Sequence, residues 1–111
     1  MAGYIVRIRE QRQTEIEPSL AARELRTTEA HVTGLLMLLE EEEMVRHVYN
    51  IYCAKNRAFL ASARERNEIP RVLYCKFCEK EHNRPDDFEI ELAFQIIDAA
   101  WERLAPNVVA R

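Results

Sequence analysis

An α+β fold is what this sequence predicts, and three observations carry that expectation. Apolar residues recur at helical spacing in segment 14–25, from Thr28 into the run Glu40–Glu43, and again at 96–105. Other segments alternate apolar and charged residues as half-buried strands do, above all FEIELAFQI at 88–96. Three cysteines and a histidine fall at C-x21-C-x2-C-x3-H spacing, which suits a metal-bound hairpin. With 111 residues, 48% of them hydrophobic, one domain with a real core is expected.

The elements follow in chain order. YIVRIRE (4–10) alternates Tyr4, Val6 and Ile8 with Arg7 and Arg9 and reads as a strand, although Ile5, Ile8 and Arg12 also keep helical spacing. As a strand it would set Arg7 and Arg9 against Glu89 and Glu91. Pro18 opens a helix rich in Ala and Leu. Thr28 caps a second helix, with Glu29 in its first turn and Val32, Leu35, Leu36 and Leu39 along one stripe, and it closes in Glu40–Glu43. VRHVYNIYC (45–53) is rich in β-branched and aromatic residues and reads as a strand. AKNRAFLASARERN (54–67) suits a short helix ending before Pro70, and RVLYCKFCEKEH a strand entering a tight turn. In the strand at 88–96, Phe88, Ile90, Leu92 and Phe94 share one face. IIDAAWERLA then forms a closing amphipathic helix stopped by Pro106.

Composition excludes several functions. There are only two glycines, Gly3 and Gly34, so the glycine-rich loops that cradle phosphates are absent. A net charge of −3 counts against a general electrostatic grip on nucleic acid. No apolar run reaches the roughly 20 residues of a membrane span, and the early charge at Arg7 fits no signal peptide. An intracellular, cytoplasmic protein without membrane partners is expected.

From Ser19 to Val45, SLAAREL, the turn RTT and EAHVTGLLMLLEEEEMV resemble the winged helix-turn-helix superfamily of prokaryotic regulators. The resemblance implies that Ala22 and Leu25 pack the first helix and Val32 and Leu36 the second, with Leu39, Met44 and Val45 leading into a wing strand. It divides the single domain 1–111 into a winged helix-turn-helix-like part (14–53), a strand–helix–hairpin part built on zinc (53–95) and a C-terminal helix (96–105). Two departures concern glycine. Glu43 stands where a wing turn usually carries glycine, and Glu79 where zinc knuckles often carry one after the second cysteine.

A recognition helix normally presents Arg, Lys, Asn or Gln to bases and phosphates. Here the outward positions are Glu29, His31, Thr33, Gly34, Met37 and Leu38. Met37 and Leu38 therefore need a further partner, which is a second copy, another subunit or this chain's own C-terminal helix; the protein-partner reading leads, with the Trp101 helix as a second contact surface. Arg23, Arg26, Arg46 and His47 would carry the alternative, a DNA-binding regulator.

An odd number of cysteines in an intracellular chain argues against a disulfide framework. Cys53, Cys75, Cys78 and His82 are the expected ligands of a structural zinc ion, with Tyr74 and Phe77 excluding water and His47 in reserve should Cys53 be a core residue. A metal or thiol sensor on the same cysteines is a third reading. Catalysis is not expected. Asp86–Asp87, Asp98 with Glu102, and the glutamate run read as solvated surface, and Ser19 and Ser62 lie in no nucleophile motif.

Overall fold

The computed structural model describes residues 1–83 and 86–102. It is a mixed α+β fold with helices α1 (Ala2–Glu10), α2 (Pro18–Leu25) and α3 (Glu29–Glu41). Its strands are β1 (Glu15–Ile16), β2 (Val45–Cys53), β3 (Phe59–Ala63), β4 (Val72–Cys75), β5 (Lys80–Asn83) and β6 (Phe88–Ile96). One antiparallel sheet has the order β1-β6-β2-β3, and β4 and β5 form a separate hairpin. No helix among the described residues is long and apolar enough to cross a membrane. The chain divides into two compact units, one of Met1–His47 with Phe94 onward and one of Val48–Ala93.

The first unit is built on helices. Segment 4–10 is helical rather than extended, because Tyr4, Ile5 and Ile8 are all buried, a spacing only a helix places on one side. That corrects the expected pairing with Glu89 and Glu91: Arg7 instead meets Glu24 at 3.5 Å and Arg9 meets Asp98 at 3.0 Å. Pro18 opens α2, and Arg26 ends it in the left-handed region at φ 56°. In α3 the Thr28 hydroxyl accepts the His31 backbone N–H at 3.1 Å, which caps the helix as expected.

Val32 and Leu36 of α3 are fully buried, as are Ile5, Ile16, Val45 and Phe94, whereas Leu25 stays substantially exposed. β1 pairs with the end of β6, Ile16 opposite Phe94. Because β6 runs to Ile96, the closing helix starts at 98 rather than 96, and the expected stretch 103–105 lies outside the described residues.

The second unit centres on Ile51, Ala63, Ile69 and Phe88, with Leu60 and Leu73 packed against them. The helix expected over 54–67 does not form, apart from a 3-10 turn at Arg66–Glu68. Asn56 accepts the Ala58 N–H through its side-chain oxygen, Arg57 adopts φ 63°, and the chain turns back as β3. Pairing of β3 with β2, Tyr49 opposite Ala63 and Ile51 opposite Ala61, overrides the helix preference of this alanine-rich run. Glu89 and Glu91 are engaged by Arg57. Ile90 is exposed, so the regular apolar face expected of 88–96 breaks in its middle.

Candidate metal centre

The four expected ligands come together within the second unit. Strand β2 ends at Cys53, β4 ends at Cys75, the turn between β4 and β5 carries Cys78, and β5 carries His82. Their ligand atoms all lie within 4.8 Å of one another. Alternation along β4 turns Cys75 inward. Across the hairpin, Leu73 opposes His82, which is likewise turned inward and only 3% exposed. The C-x2-C turn is closed by Glu79 at φ 56°, the left-handed conformation that a glycine would adopt without strain.

The spacing suits a tetrahedral metal ion. Two thiolates about 2.3 Å from a tetrahedral zinc stand roughly 3.8 Å apart, and a thiolate and an imidazole nitrogen roughly 3.6 Å. Cys53 Sγ lies 3.7 Å from Cys78 Sγ and 3.4 Å from His82 Nε2. Cys53 is both buried and a member of the cluster, so its burial does not compete with ligation. His47 is not needed as a substitute. Its Nδ1 lies 2.6 Å from a Glu40 carboxylate oxygen, which also accepts the His47 backbone N–H at 2.8 Å.

The pocket separates its thiols electrostatically. Burial pushes the Cys53 thiol up, but the Asn56 and Lys55 N–H groups, with Cys78 and His82, outweigh it and hold the thiol down to about 7. Burial, followed by the neighbouring Cys53 and Cys75, pushes Cys78 up to about 11. Several thiols crowded together cannot all ionise unless a cation is shared among them, which is the condition a soft divalent metal satisfies.

Two residues around the cluster are not visible in the cysteine spacing. The Asn56 side-chain amide donates to Cys78 Sγ at 3.5 Å. An Asp87 carboxylate oxygen lies 3.8 Å from His82 Nδ1 and is held by the Asn83 N–H at 2.9 Å. Among the described residues, His82 Nδ1 is a buried polar atom without a hydrogen-bond partner. Phe88 stands edge-on to the His82 ring at a centroid distance of 6.4 Å. Tyr74 and Phe77 do not shield the sulfurs. With Cys75 turned inward, its neighbour Tyr74 points outward, and the two aromatics are 61% and 74% exposed.

The remaining candidates lie in the first unit. Met37 and Leu38 are exposed on α3. Trp101, expected at a contact surface, is a core residue instead: it is 3% exposed and its Nε1 donates to the Met44 carbonyl at 2.9 Å. Arg23, Arg26 and Arg46 are exposed.

No family pattern, curated protein or solved structure matches this chain.

Proposed function

We propose that this protein is a non-enzymatic, zinc-stabilised winged-helix module that works by protein–protein contact, as a homodimer or as a subunit of a larger assembly. The observation that carries this reading is the outer face of α3, where Met37 and Leu38 are 57% and 59% exposed. Large apolar side chains on a second face of a helix imply a second partner. A DNA-reading helix would show polar or cationic groups there. Glu41, Glu42 and Glu43, exposed just beyond, would repel phosphates.

The winged-helix part of the reading is supported by the order α1, β1, α2, α3, β2 and by the strand order β1-β6-β2. Glu43, where a wing turn usually carries glycine, has φ 59°. On this reading β2 and β6 are the wing strands. Zinc is favoured by the Cys3His donor set. Four protein ligands leave no open coordination position, so the metal's role is structural.

Exposed Arg23, Arg26 and Arg46 favour a second reading, a DNA-binding regulator. One comparison separates the two. The Met37→Asp/Leu38→Asp variant should keep its zinc and lose its oligomeric state or its co-purifying subunits in native mass spectrometry. An unchanged assembly, together with low-salt duplex binding that weakens in Arg23→Ala, Arg26→Ala or Arg46→Ala, would replace protein contact by DNA binding.

A further inference from the structure

The end of α3 combines an apolar groove with an electrostatic arrangement that α3 itself does not neutralise. The groove, about 330 Å³, is lined by Met1, Leu35, Leu38, Leu39, Glu41 and Glu42. It therefore continues the exposed apolar face into an acidic rim. A helix C-terminus carries partial negative charge and favours cations. Here the last turn of α3 holds no basic residue, and Glu40 to Glu43 crowd the end instead. Glu40 is engaged by His47, whereas no ion pair joins Glu41, Glu42 or Glu43 to another described residue. Dipole and carboxylates thus add to one negative field beside an apolar slot.

A second copy of this face is a poor occupant. A two-fold contact sets a surface against itself. α3, with the sequence EAHVTGLLMLLEE, has no Lys or Arg along its length. Pairing two such helices in either direction therefore offers the glutamates no fixed counter-charge.

Resting on the protein-contact reading, we infer that the partner is a basic amphipathic helix, which seats apolar side chains on Leu35, Leu38 and Leu39 and sets Lys or Arg against Glu41 and Glu42. Helix-in-groove recognition uses apolar anchors at successive turns. Opposite charge at the rim fixes orientation and speeds encounter.

The test uses the zinc-loaded full chain and two synthetic helical peptides of about four turns. One is an amphipathic Leu/Lys peptide; the other has the same apolar pattern with Glu for Lys. Binding is followed by fluorescence anisotropy and by the NMR methyl signals of Leu38 and Leu39. The Leu/Lys peptide should bind at least about tenfold more tightly than its Glu counterpart, and Leu38→Asp should weaken it by about tenfold or more. Glu41→Lys/Glu42→Lys should reverse the peptide preference without changing zinc content.

Equal affinity for both peptides, binding that leaves the Leu38 and Leu39 signals unmoved, or binding of neither peptide overturns the basic-helix assignment. A wild-type homodimer that dissociates in Leu38→Asp also overturns it, yet leaves protein contact through α3 standing. Loss of the broader reading would show differently, as no change in assembly or co-purifying subunits when Met37 and Leu38 are replaced.

Discussion

His82 and Asp87 form an incipient carboxylate–imidazole pair, Nδ1 to Oδ2 3.8 Å, with the carboxylate already anchored by the Asn83 N–H. A metal-bound imidazole is held in orientation and made a better ligand when its other nitrogen donates to a carboxylate. Asp87→Ala should therefore weaken zinc affinity by about 10–100-fold while leaving stoichiometry at saturating metal unchanged. Competition against a chromophoric chelator measures this. An unchanged affinity would assign Asp87 to the turn alone.

Removing the metal should cost folding rather than a chemical step. The second unit has a small apolar centre in Ile51, Ala63, Ile69 and Phe88, so a Cys3His site would contribute a large share of its stability. In small zinc modules that share reaches about 10–16 kcal/mol of apparent free energy. Chelation, or Cys78→Ser, should collapse amide protection across β4 and β5, read by hydrogen exchange.

Glu79 sits at φ 56° beside the expected ligand Cys78, a conformation costing about 1–2 kcal/mol for a residue with a Cβ. Part of that is regained in Glu79→Gly, because glycine loses more chain entropy on folding. A net gain of about 0.5–1 kcal/mol, a rise of a few degrees in the zinc-loaded Tm, is expected.

Trp101 distinguishes core from interface. Trp101→Phe removes the indole donor from the Met44 carbonyl, which keeps the Ile97 N–H at 3.1 Å, and should cost about 0.5–1.5 kcal/mol in denaturant unfolding. Gly34 gives the opposite sign: a Cβ added there meets nothing within 4 Å. Gly34→Ala should stabilise α3 by up to about 1 kcal/mol through helix propensity. Gly34 lies three and four residues before Met37 and Leu38, on the same helical face. Gly34→Gln should therefore weaken partner binding while leaving zinc content unchanged.

Much of this was legible in the residues themselves. Cys75, Cys78 and His82 lie close in sequence, so spacing alone places them on one hairpin, and Thr28 caps α3 through a contact three residues away. The two positions where the resemblances lead one to expect glycine, Glu43 and Glu79, are both in the left-handed region.

What escaped depends on partners distant in sequence. Residues 59–63 have helical composition and become a strand because β2 offers an edge. Segment 4–10 fits both periods, and burial of Ile5 together with Ile8 decides for the helix. Asp87 looked like a solvated loop acid, because its approach to His82 requires the turn that follows β5. Trp101 looked like a surface anchor, but its indole partner is a carbonyl 57 residues earlier.

The central claim is a closed Cys3His zinc clamp formed by Cys53, Cys75, Cys78 and His82. X-ray absorption at the zinc edge of the purified, zinc-loaded chain tests it most directly. The expected shell is three sulfurs at about 2.3 Å and one nitrogen at about 2.0–2.1 Å, with one zinc per chain. A shell of oxygen and nitrogen alone, or a chain that does not retain zinc, would contradict it.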